Sequence, residues 1–166
     1  MLVLGIDPGT ARTGFGLIRE TGSGSLELVA YGVIATSADL PQAERLLILH
    51  SELQQLIEEH DPVEAAVERL FFQKNVSTAM SVGQARGVIL LALQQAGLPI
   101  GEYGPRDIKR AVTGYGAADK RQMQRMVQTL LSMPELPKPD DAADALAIAI
   151  CHCHSTHIQH QIRKMG

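Results

Sequence analysis

Several things are scarce in this chain, and each scarcity excludes something. No apolar run is long enough to cross a bilayer, so no helical membrane span is expected. Met1 leads straight into an apolar run, so neither a basic leader nor a signal peptide is expected. Cysteine occurs only twice, at Cys151 and Cys153. Two positions apart in a predicted helix, the thiols face different sides and are expected to stay reduced, as in cytoplasm. Positive charge is not in excess: 15 Lys and Arg against 18 Asp and Glu leave a formal charge of −3. That argues against a uniformly basic nucleic-acid coat but not against a local one, because clustered acids mask a basic face in the sum. Internal repeats are absent. Tryptophan is missing too, and two of the three phenylalanines stand side by side as Phe71 and Phe72. What is present is ordinary for a folded domain: 45% hydrophobic and 20% charged residues in a length that buries one core.

The chain opens on Leu2-Val3-Leu4-Gly5-Ile6-Asp7, an apolar run that ends on an acid and breaks into Pro8-Gly9-Thr10. Such a run is expected in the centre of a sheet, with Asp7 at the carboxyl end of the strand, where open α/β sheets hold ligands. Asp-Pro-Gly is also a good turn opener, so Asp7 alone decides nothing. Thr13 to Arg19 and Leu26 to Thr36 read as two further strands, and the short links imply an antiparallel meander. Pro41 opens a helix to His60 that carries Leu46, Leu49, Leu53 and Leu56 on one face, and Asp61-Pro62 stops it. Val63 to Glu68 is a compact strand, parallel to the first and again ending on an acid. Val76 to Ala96 is a second long helix, ended by Gly97. Its Ala79, Gly83 and Gly87 form a smooth stripe suited either to packing on the sheet or to a dimer contact.

A short strand at Ile100 to Tyr103 follows, then a small helix from Pro105 to Val112. Asp119 with Gln122 reads as a capping box opening a helix to Met133. The last helix starts near Asp140. The order predicts a single α/β domain over residues 1–156, a five-stranded mixed sheet with helices on both faces, and a flexible tail over 157–166.

Asp7 and Glu68 end strands that this topology makes adjacent and parallel, so their carboxylates emerge at one sheet edge. Asp141 and Asp144, three apart, share a helix face. Capping accounts for Asp140 or Asp141 but poorly for Asp144, in an alanine-rich stretch that lies tight against something. Gathered like charges raise one another's pKa, and hard divalent cations such as Mg²⁺ or Mn²⁺ relieve the repulsion. Two such ions roughly 3.5–4 Å apart suit phosphodiester hydrolysis. The run Cys151-His152-Cys153-His154 resembles a metal motif on paper. Consecutive helical residues point around the axis, however, and do not close tetrahedrally on one ion.

Four segments together resemble the RuvC family of Holliday-junction resolvases: Gly5-Ile6-Asp7-Pro8-Gly9, Glu68-Arg69-Leu70-Phe71-Phe72-Gln73-Lys74-Asn75, Gly83-Gln84-Ala85-Arg86-Gly87 and Asp141-Ala142-Ala143-Asp144-Ala145-Leu146-Ala147. They occur in the family's order, and the likeness runs from residue 2 to about 154. The resemblance implies a ribonuclease H-like fold and a homodimer that nicks four-way DNA junctions symmetrically with Mg²⁺, leaving 5′-phosphate ends. Two Mg²⁺ per site, with Mn²⁺ able to substitute, are expected, as is a cytoplasmic partnership with the RuvA–RuvB branch-migration machine. The family's catalytic acids map onto Asp7, Glu68, Asp141 and Asp144. Lys109 and Lys120 match family positions that contact DNA near the scissile phosphate, and Phe71 matches an aromatic that stacks on unpaired bases at the junction centre. Phe71 is expected outward and Phe72 inward. Lys74, Arg106, Arg110, Arg121 and Arg125 extend the positive surface in this reading. Arg69 stands where other members carry glutamine.

Gly-Ile-Asp-Pro-Gly-Thr also resembles the first phosphate loop of actin-like ATPases, but 166 residues hold one lobe and no second acidic-glycine loop. The remaining rivals are another ribonuclease H-like nuclease acting on RNA and a non-catalytic junction-binding protein. The latter has no need of four acids.

Overall fold

A computed structural model describes residues 1–22, 24–69 and 76–165. The strands are β1 (Leu2–Asp7), β2 (Arg12–Glu20), β3 (Leu26–Ala35), β4 (Glu64–Glu68) and β5 (Ile100–Tyr103). The helices are α1 (Gln42–His60), α2 (Val76–Gln95), α3 (Pro105–Thr113), α4 (Lys120–Leu130) and α5 (Asp140–Met165). Among the described residues the sheet runs in the order β3-β2-β1-β4-β5. The meander β1–β2–β3 is antiparallel, while β4 joins β1 and β5 joins β4 in parallel. Each parallel crossover passes through a helix, as parallel strands require.

Alternation along the strands decides what each face meets. Leu4 and Ile6 of β1, with Ala65 and Val67 of β4, pack among Leu49 and Leu53 of α1 and Ile89 and Leu93 of α2. Val3 and Ala66 turn the other way, into a cluster with Ile108 and Val112 of α3, Val127 of α4 and Leu146 to Ile150 of α5. Asp7 and Glu68 follow the same period, so both carboxylates lie on this second face.

Helix α5 lies unusually close to the sheet, and glycine is the reason. A methyl at Gly5 would stand 2.2 Å from the carbonyl oxygen of Ala145, and one at Gly14 would stand 1.9 Å from that of Asp141. Gly14 is the register partner of Asp7. Fully buried Ala142, Ala145 and Ala149 supply the matching smooth surface on the helix. Small residues on both sides therefore bring the first turns of α5 up against the end of β1.

One helix boundary differs from the sequence reading, and two stretches gain detail. Helix α4 stops at Leu130, because Ser132 takes a left-handed conformation (φ 49°) ahead of Pro134. Helix α5 runs on to Met165; Gln, Ile, Arg, Lys and Met are serviceable helix formers, and no proline interrupts them. The stripe on α2 is not packed on the sheet at its glycines: among the described residues, a methyl at Gly83 or Gly87 would meet nothing within 4 Å. Among the described residues no helix is long and apolar enough to cross a membrane.

Candidate active site

The turn after β1 is braced from several sides. Thr13 donates its hydroxyl to the Gly9 carbonyl at 2.7 Å, and Thr36 donates to the Thr10 carbonyl at 2.7 Å. Arg45 in turn donates to the Thr36 hydroxyl at 3.0 Å. Glu68 is fixed at the end of β4 by neighbours on both sides. Arg86 of α2 donates to its carbonyl at 3.3 Å and pairs with Glu102, while Arg69 donates its backbone N–H to the Tyr103 carbonyl at 2.8 Å. Opposite them, the capping box at Asp119 and Gln122, with bonds of 2.8 and 2.9 Å, sets the start of α4 and hence the placement of Lys120.

These elements enclose a cavity of about 260 Å³ lined by Asp7, Glu68, Asp144, Lys109 and Lys120, with Ile108, Met123, Ala147 and Ile148 as its apolar wall. The carboxyl of Asp7 is pushed up to about 8, first by burial and then by the charges of Glu68, Asp144 and Asp141, against the opposing pull of Lys120. Glu68 is raised by burial and by Asp144, with Lys109 opposing; Asp144 is raised by burial, with Lys120 opposing. Like charges are thus held together in a partly dry site at the cost of their ionisation.

Asp141 is placed differently. It lies in an adjoining cleft of about 670 Å³ with Arg12, Lys120, Gln124, Lys138 and Asp140. There it pairs with Arg12 at 3.2 Å. Lys120 pairs with Asp140 at 2.9 Å and reaches Asp144 at 3.9 Å, and this exposed pairing lowers the Asp140 pKa. Among the described residues no three His, Cys, Asp or Glu groups stand ready to hold an ion as they are. The donor set nonetheless fits a hard divalent cation. It is all carboxylate oxygen, and the like charges of Glu68, Asp144 and Asp141, which add to burial in lifting the Asp7 pKa, are ones that such an ion would offset.

The other expected residues divide. Arg106, Arg110, Arg121 and Arg125 are exposed on α3 and α4. Arg106 lies at the start of α3, in a surface cleft with Pro105 and Asp107 rather than in the acid cavity. Phe71, Phe72 and Lys74 lie outside the described residues. The cysteine–histidine run is engaged elsewhere. His152 is buried between Glu64 at 2.6 Å and the Tyr103 hydroxyl at 3.0 Å, and His154 bonds to the Ala111 carbonyl at 2.9 Å. Burial raises the Cys151 and Cys153 thiols to about 11 and about 12, which keeps them protonated. Arg12 and Gly14 escaped the sequence reading, and Gly5 and Arg86 entered it only as motif residues without a structural role. The paired glycines of Gly14-Phe15-Gly16 offered a signal in retrospect, whereas nothing in the sequence links Arg12 to Asp141.

Comparison with known proteins covers nearly the whole chain. A family profile described as "Crossover junction endodeoxyribonuclease RuvC" matches residues 3–152. The crossover junction endodeoxyribonuclease RuvC of Roseiflexus sp. (strain RS-1) is 58% identical over 161 residues, covering 97% of this chain and 95% of that one. Among solved structures, Thermus thermophilus RuvC superposes with a TM-score of 0.89 at 36% identity, over 96% of this chain and 97% of that one. T. thermophilus RuvC in complex with a Holliday junction substrate gives 0.87 at 34% identity, over 95% and 96%.

Proposed function

This chain belongs to the RuvC family of crossover junction endodeoxyribonucleases, and from that premise we propose how its residues resolve a four-way DNA junction. It is a Holliday-junction resolving endonuclease with a ribonuclease H-like fold. The observation that carries the mechanistic reading is the convergence of Asp7, Glu68 and Asp144 in one cavity walled by Lys109 and Lys120.

Asp7, Glu68 and Asp144, joined by Asp141, would hold Mg²⁺, two ions per site, with Mn²⁺ able to replace it. When bound, the ions supply activation of water for attack on phosphorus and neutralise charge on the leaving oxygen. Lys109 and Lys120 draw the scissile phosphate to the cavity mouth, and the apolar wall of Ile108, Met123 and Ile148 limits water around it. Arg106, Arg110, Arg121 and Arg125 add backbone contacts that position the DNA without reading its sequence. Phe71 or Phe72, with Lys74, follows Glu68 closely enough to meet bases at the junction centre. The products would be symmetric nicks with 5′-phosphate ends.

A homodimer is supported by the outer face of α2. Met80 and Leu91 are 64% and 54% exposed there, flanking the open glycines Gly83 and Gly87. Two copies of such a face allow close helix approach and place two acid cavities on one junction. We also infer cooperation with RuvA–RuvB, in the cytoplasm where the chromosomal substrate lies. The RNA-directed alternative has no observation in its favour.

The test uses a labelled mobile four-way junction incubated with and without Mg²⁺ or Mn²⁺, with the cuts mapped on every strand. Paired symmetric nicks that need metal and vanish in Asp7→Asn, while that variant still binds the junction, are expected. Junction binding without cleavage in either metal, or cleavage of single-stranded RNA in its place, would overturn the proposal.

A further inference from the structure

We propose that Arg12 is a latch on Asp141: in the free protein it holds this carboxylate outside the acid cavity, and a DNA phosphate that takes Arg12 releases it. The inference rests on reading the acids as a metal site acting on junction DNA.

Four observations carry it. Asp7, Glu68 and Asp144 line one cavity, whereas Asp141 lines the next cleft, paired with the Arg12 Nε at 3.2 Å. Asp141 and Asp144 are three residues apart on one helix, so they share a face and Asp141 starts beside the cavity that Asp144 lines. Arg12 itself stands on a fixed base. Ala11 before it accepts a backbone bond from Thr36 at 3.0 Å, and Arg12 opens β2 opposite Ala35. Yet its side chain is 52% exposed, and it shares the cleft with Lys120 and Lys138, three cations against the two carboxylates Asp140 and Asp141.

A guanidinium fork binds a phosphate as well as it binds a carboxylate, and an exposed Arg–Asp pair is weak enough to exchange. DNA arriving along the cleft would exchange one anion for another. The phosphate takes Arg12, and Asp141 becomes available beside Asp144. Lys120 lines both the cleft and the cavity, so the two adjoin at its side chain. The device ties completion of the ligand set to the presence of substrate. Arg12 is on this view a positioning residue that does not touch the reacting atoms.

The test compares wild type with Arg12→Ala, Arg12→Gln, Asp141→Asn and the Arg12→Ala/Asp141→Asn double variant. Mn²⁺ binding is followed by electron paramagnetic resonance without DNA, and circular dichroism checks folding. Loss of the latch is expected to tighten Mn²⁺ binding by about two- to fivefold in both Arg12 variants, and not at all in the Asp141→Asn background. Junction binding in EDTA, where nothing is cut, is expected to weaken in Arg12→Ala. The slope of log K against log salt should fall by about one. Unchanged or weaker Mn²⁺ binding, or an equal gain without Asp141, would overturn the latch. An unchanged junction affinity and salt slope would overturn the hand-over to phosphate. A wild type that fails to bind the junction at all would instead remove the functional reading beneath both.

Discussion

Replacing Gly14 by alanine tests how the acids are seated. The added methyl would lie 1.9 Å from the Asp141 carbonyl oxygen and 2.4 Å from its carbonyl carbon, both backbone atoms that no side-chain rotation can clear. Contacts under 3.0 Å are essentially never seen, so strand and helix must part by at least about 1.1 Å. Forced separation of this kind typically costs about 1–3 kcal/mol of stability. The helix that retreats carries Asp141 and Asp144, while Asp7, paired in register with Gly14, stays on the strand. Misplacement of reacting groups by ~1 Å lowers rates by roughly 100-fold. The assay is metal-dependent junction cleavage under single-turnover conditions, alongside urea denaturation. Gly22→Ala, where a methyl meets nothing within 4 Å, is the control. A Gly14→Ala protein that is folded and cleaves at the wild-type rate would refute the claim that close approach of α5 sets the site.

Three further outcomes are expected. Because the Asp7 pKa rises from 3.8 to about 8 on folding, the metal-free native state keeps a proton that the unfolded chain releases, so stability should fall as pH rises through that window and level off above it. Thermal melts in EDTA check this, Asp7→Asn should flatten the trend, and Mn²⁺ affinity should climb about tenfold per pH unit below pH ~8 as the proton is displaced. Asp119→Ala removes the cap that seats Lys120 at the start of α4 and should cost about 1 kcal/mol in urea titrations. Leu91→Asp puts a charge on the exposed face of α2 and should convert a dimer to a monomer in analytical ultracentrifugation without lowering the melting temperature of the monomer.

Much of the site was legible because it obeys local rules. An apolar run ending on an acid occurs twice, at Asp7 and Glu68, and the helical crossover between them makes the strands parallel neighbours. The capping box at Asp119 is written in adjacent residues. What escaped depends on pairs distant in the chain. Gly14 meets Asp141 and Gly5 meets Ala145 through tertiary packing alone, so the alanine stretch announced a tight contact without naming its partner. The same holds for the pairing of Arg12 with Asp141, an acid that lines the adjoining cleft yet still acts by its charge on Asp7. Helix α2 is apolar over most of its surface, so its pattern could not show which side faces outward; the open glycines do. The run of α5 to Met165 was not legible because a helix held by propensity needs no apolar period.

The most direct measurement is an anomalous-scattering map from crystals grown with Mn²⁺ and an uncut four-way junction. Manganese peaks within ligand distance of Asp7, Glu68 and Asp144, with Asp141 turned toward them, are the expected result. No peak in that cavity, or one seated on the Cys151–His154 run instead, would contradict it.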